Sequence, residues 1–128
     1  MKKNIKGFTL AEVLIVVTII AVLVAISIPV FTSQLHKARV AADWANVRAY
    51  YAQLQYDFME TEKIDENKLR EPGPNPIISF NLSGQKIDLK AGYLYIRLND
   101  EDGKTGYNFL YVCNKTGDTK CQLALPEV

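Results

Sequence analysis

Apolar positions are distributed very unevenly along this chain. Phe8 to Phe31 reads FTLAEVLIVVTIIAVLVAISIPVF, and between Val13 and Phe31 Thr18 and Ser27 are the only polar side chains, with no charge at all. As a helix this segment would extend about 36 Å, at roughly 1.5 Å per residue. That is enough to cross a hydrocarbon layer about 30 Å thick. Beyond Phe31 the helical pattern continues to about Glu60 without Gly or Pro, but its composition changes. Val40, Trp44, Val47, Tyr51, Leu54 and Phe58 recur at spacings of three and four, which predicts one bulky stripe. Ala38, Ala42, Ala45, Ala49 and Ala52 fall on a nearly opposite side, with Leu35 and Tyr56 continuing that band. A helix that packs on its own domain needs one apolar stripe, and the bulky one is expected to take that role.

The remainder is built of short apolar runs separated by turn residues. Pro72, Pro74 and Pro76 make a helix implausible in the charged stretch Thr61–Asn75. Ile77–Leu82 and Lys86–Leu89 flank Ser83-Gly84 and predict a hairpin. Tyr93–Leu98, in which Leu94, Ile96 and Leu98 alternate with Tyr93, Tyr95 and Arg97, predicts a third strand, and Tyr107–Cys113 a fourth. A fifth short strand is expected to include Cys121–Leu125. The fold class is therefore α+β: a long N-terminal helix packed on a small antiparallel sheet of four to five strands. The first half of the helix is transmembrane and the second amphipathic. By segment, 1–7 is a basic leader, 8–31 the membrane half, 32–60 the amphipathic half, and 61–128 a loop-and-sheet head.

Composition narrows the function classes. The net charge is +1, yet Lys2, Lys3 and Lys6 precede the apolar segment, leaving 12 basic side chains against 14 acidic ones. No Lys/Arg run tracks a phosphate backbone, so nucleic-acid binding has no support. The lysines on the N-terminal side predict that end in the cytoplasm and the head outside. No nucleophile–base arrangement, phosphate loop or oxyanion motif is recognisable. An enzyme is not expected, and neither is a cofactor.

Three readings of the N-terminus compete. A cleaved secretory signal fits poorly, because the apolar stretch is long and no A-x-A site follows it. A plain single-span anchor, carrying a tethered binding domain, is the second. Glu12 weighs against both: an acid at the centre of a membrane costs about 2.5–3.5 kcal/mol on insertion scales, and a simple anchor gains nothing from it. A cut after Gly7 would create an amine on Phe8, four residues from Glu12, and so provide a cationic partner.

Lys6-Gly7-Phe8-Thr9-Leu10-Ala11-Glu12 and the unbroken apolar run behind it resemble the processing site of type IV prepilins and of the pilin-like subunits of type II secretion and competence systems. The resemblance covers residues 1–31 in detail. It implies that a prepilin peptidase cuts between Gly7 and Phe8 and methylates the new amine. It also implies that Glu12 pairs with the Phe8 amine of a neighbouring subunit, which sets register in a filament of many copies of the chain. The implied partners are self, the peptidase, an assembly platform with its ATPase, minor pilins, and the cytoplasmic membrane before assembly. Pro29 is expected to kink the helix at the membrane exit, with melting in the filament as the family's further possibility. On the same resemblance, the alanine stripe lets helices approach closely in a bundle; alanine's helix propensity is the plainer account.

Cys113 and Cys121 enclose a turn-forming segment and, in an exported domain, are expected to form a disulfide; many pilins carry such a cysteine-closed loop. Most major pseudopilins lack one, which favours a pilus subunit over a pseudopilin. A zinc site is not expected, because it would need four ligands and His36 is the only histidine. His36 itself, with no acid, cysteine or serine constellation near it in the sequence, is expected to meet solvent or headgroups. Asn99-Asp100-Glu101-Asp102-Gly103 lacks the alternating acids of an EF-hand. A solvated turn is expected there, with calcium as the alternative.

Overall fold

A computed structural model describes residues 7–99, 106–115 and 119–127. The leader residues before Gly7 and the acidic loop around Asp100 and Asp102 lie outside the described residues. Two compact units divide the chain, Met1–Leu35 and His36–Val128.

Helix α1 runs from Leu10 to Thr61 and is helical through Pro29. Proline has no N–H to donate to the carbonyl one turn back. The two hydroxyls of the apolar stretch turn inward: Thr18 Oγ1 donates to Ile15 O and Ser27 Oγ to Leu23 O, each at 2.7 Å. Such back-bonding removes the polar cost of a hydroxyl where no water is present.

In the second unit α1 presents Val40, Asp43, Val47, Tyr50 and Leu54 as its buried positions. Their spacing is strictly three and four. The expected bulky stripe therefore lies slightly to one side of the true one: Trp44, Tyr51 and Phe58 are its half-buried flank. Tyr50 and Asp43 take places at the centre that the apolar pattern did not assign to them.

Five strands follow among the described residues: β1 (Ser79–Leu82), β2 (Gln85–Asp88), β3 (Gly92–Leu98), β4 (Tyr107–Cys113) and β5 (Leu123–Leu125). The α+β class and the antiparallel pairing hold, but the strands form two sheets, β1-β2 and β3-β4-β5, where a single sheet was expected. Ser83 and Gly84 both have positive φ, 50° and 82°, as the two-residue turn that matches strand twist requires. The segment from Arg70 to Ile77 covers the other edge of β3 at just two points, Arg70 opposite Ile96 and Ile77 opposite Leu94. Between them lie three prolines, which cannot donate to a ladder, so the segment loops out rather than forming a strand. Cys121 closes a 3-10 turn, Thr119–Cys121, and β5 begins only after it. The core joins the helix stripe to Phe80, Leu94, Ile96, Phe109, Tyr111, Leu123 and Leu125. Tyr50 stacks on Phe80 with ring centres 4.4 Å apart.

Candidate functional site

At the start of the helix Gly7, Phe8, Thr9 and Glu12 come together. Phe8 is 89% exposed, and nothing lies within 4 Å of a Cβ built on Gly7. The fold of the single chain therefore places no demand on either residue. Glu12 is different. Its Oε2 accepts from Thr9 N at 3.0 Å, while Thr9 Oγ1 accepts from Glu12 N at 3.3 Å. This reciprocal pair is a capping box, which satisfies two of the four orphan donors at a helix start. The expectation that a simple anchor gains nothing from Glu12 is thus corrected: the acid also caps the helix. The signal is present in the sequence as Thr9-x-x-Glu12, the spacing of a capping box.

From Phe8 to Phe31 the large apolar side chains are exposed all round the helix, from Val24 at 47% to Phe8 itself. A helix apolar on every side has no aqueous resting state and requires lipid or other helices. It is long and apolar enough to cross a membrane. Further along α1, Ala38, Ala42, Ala45, Ala49 and Ala52 are all exposed, as are Leu35 and Tyr56. The small-residue band lies away from the buried stripe.

Residues 2–28 match the prokaryotic N-terminal methylation motif. That motif is one the chain shares with type IV pilins. The type IV narrow pilus major component PilA5 of Thermus thermophilus is 52% identical over 50 residues, 37% of this chain and 43% of that protein. The chain thus aligns with less than half the length of that relative. No solved structure matches the chain.

In the head the expected Cys113–Cys121 disulfide is present, with Cα atoms 5.7 Å apart. It ties the end of β4 to the turn before β5. Trp44 Nε1 donates to Cys121 O at 3.3 Å, which fastens the bridge to the helix. His36 does not simply face solvent or headgroups. One of its ring nitrogens and both cysteine sulfurs lie within 4.8 Å of one another, a proximity between residues 77 and 85 positions apart that no local pattern reveals.

Asp43 is the polar residue that sequence reasoning missed. It is fully buried, and its carboxylate accepts from Lys90 N and Ala91 N at 2.8 Å each and from Tyr111 Oη at 2.7 Å. Three donors compensate the lost hydration of a buried charge. They also link the helix to the β2–β3 connection and to β4 at one point. Gly92 makes room for this: a Cβ there would lie 2.6 Å from Tyr111 Oη. Burial, followed by the hydrogen bond to Asp43 and its charge, raises the Tyr111 pKa well above the usual tyrosine value. Burial raises that of Tyr50 as well.

Proposed function

We propose that this chain is a pilin, a structural subunit of a type IV pilus, stored in the cytoplasmic membrane as a single-span protein with its head outside and then drawn into an extracellular filament. One observation carries the reading: a Gly7-Phe8-Thr9-Leu10-Ala11-Glu12 start opens a helix whose apolar surface, from Phe8 to Phe31, is left uncovered by its own chain. Lipid covers that surface before assembly and neighbouring copies of α1 cover it afterwards. The disulfide-closed loop and the narrow-pilus role of the relative support a pilus over a pseudopilin of a secretion or DNA-uptake machine. The subunit works by packing, without catalysis. Its partners are a prepilin peptidase acting between Gly7 and Phe8, an assembly platform with its ATPase, minor pilins and further copies of itself. Pro29 supplies a weak point at which the helix can bend or stretch on entering the filament.

The intact mass of protein from membranes and from a shear fraction tests this. Loss of Met1–Gly7 and gain of one methyl group is expected, with the processed form in the shear fraction. A processed form confined to the envelope points to the pseudopilin, and an uncut chain beside an active peptidase overturns the proposal. Glu12→Gln then separates the two uses of Glu12. Glutamine keeps the capping box but has no charge to offer a Phe8 amine, so filaments are expected to fail while the helix start stays intact.

A further inference from the structure

The corner where the disulfide meets the helix carries chemistry that filament assembly does not use. His36 is half-buried, and its Nε2 is buried without a hydrogen-bond partner among the described residues. A buried ring nitrogen left unsatisfied carries a desolvation cost. The same imidazole offers a ligand atom within 4.8 Å of Cys113 Sγ and Cys121 Sγ. Beside them is a cavity of about 280 Å³, lined by His36, Val40, Ala41, Trp44 and Cys121 with Lys37 and Lys120. Its volume accommodates water.

We propose that Cys113, Cys121 and His36 form a redox-gated site for a borderline-soft divalent cation, Zn²⁺ foremost. In the disulfide form the sulfurs are poor donors and the site is closed. Reduction by a dithiol breaks the S–S bond: two electrons and two protons pass to the cysteines, and the dithiol leaves as its own disulfide. Zn²⁺ then displaces both thiol protons and binds two thiolates and the neutral imidazole, with water from the cavity in the fourth position. Three protein ligands and one open position is an established zinc arrangement. Zn–S and Zn–N bonds of about 2.3 and 2.0 Å in tetrahedral geometry place the ligand atoms roughly 3.5–3.8 Å apart. The imidazole nitrogen, within 4.8 Å of both sulfurs, need approach by only about an ångström, while the sulfurs, freed from a bond of about 2.0 Å, part by roughly 1.7 Å. Two thiolates neutralise the cation, so the neighbouring lysines face no net charge. The metal would restore the link between β4 and the β5 turn that reduction removes.

The full chain in detergent micelles tests this, reduced anaerobically with a phosphine, which takes up the oxygen of water and, unlike a dithiol, does not compete as a chelator once desalted. Titration with Co²⁺ should give one equivalent bound, with thiolate charge-transfer absorption and the intense visible bands of four-coordinate cobalt, and Zn²⁺ should displace it. The oxidised chain should give neither signal. His36→Ala should lower the affinity roughly tenfold or more, since even supporting residues around a metal account for about 10–100-fold. The oxidised variant should keep the far-UV spectrum of the parent. Equal affinity and equal bands in His36→Ala overturn the site, as does a reduced, folded wild-type chain that binds no cobalt. Should reduction loosen the head, Zn²⁺ must restore its near-UV signal; failure to do so also counts against the proposal.

Discussion

The two halves of α1 answer to different surroundings. Leu10–Leu35 is almost wholly apolar and buries nothing; every large side chain from Leu10 to Phe31 is exposed. His36–Thr61 is far more polar, yet it supplies Val40, Val47, Tyr50 and Leu54 to the core and buries a carboxylate among them. Apolar content is therefore no measure of contribution to a core. What counts is whether apolar side chains share one face, because a single domain covers one face of a helix. The first half offers no such face, and only lipid or a bundle of like helices can cover it. The second half offers two different faces, a buried bulky one and an exposed alanine one.

The largest break in this contrast should come from Asp43. Asp43→Ala leaves three buried donors without an acceptor, and roughly 3–5 kcal/mol of head stability should be lost. Chemical denaturation of the full chain in micelles reads this directly. A loss below about 1 kcal/mol would mean that the network is incidental. Next in size is Gly92→Ala, which drives a methyl group into the Tyr111 ring and should cost about 1–3 kcal/mol by overpacking. Because both changes act on the same hydroxyl, Gly92→Ala and Tyr111→Phe should not be additive.

Tyr111→Phe alone should cost about 1–2 kcal/mol and change the alkaline behaviour. The folded-state pKa is raised, so the folded chain holds its proton at pH values where the unfolded chain has lost it. The associated stability is complete below about pH 10, the unfolded value, and falls as pH rises beyond it. The parent head should destabilise above about pH 10 and the phenylalanine variant less steeply. Parallel slopes would show that the hydroxyl is not the titrating group; Tyr50, also raised, contributes with the same sign.

The smallest effect on the monomer should accompany a large one on the filament. Ala45→Leu, on the exposed band, should change head stability by no more than about 0.5 kcal/mol while blocking close helix approach. Shear fractions and denaturation curves of the same variant check both halves of that statement. Normal filaments would leave helix propensity as the whole account of the alanines.

Much of this was legible in one dimension. The membrane-length segment, the Ser83-Gly84 turn, the alternation of Leu94 and Ile96 in β3 and the motif at Gly7–Glu12 all depend on neighbours within a few residues. Local chemistry at those spacings is decided by chain geometry. The Thr9–Glu12 cap belonged to the same class and was readable at the expected three-residue interval. The helix stripe was read nearly in place, but aromatic bulk drew it toward Trp44 and Tyr51 and away from Tyr50.

Contacts between distant segments account for the rest. An aspartate inside a helix pattern reads as a surface residue, because burying it is costly until three donors from elsewhere in the chain converge on it. Asp43 became a core residue only when Lys90, Ala91 and Tyr111 were brought to it. The division into two sheets depended on the proline-rich stretch failing to complete a strand along β3. His36 met the Cys113–Cys121 bridge only because the helix and the end of β4 share a corner of the fold. Local periodicity was enough to establish which segment must leave water and which strands can turn back on themselves. It was not enough to establish which polar side chains are buried together, because that free energy exists only between residues the fold has already brought into contact.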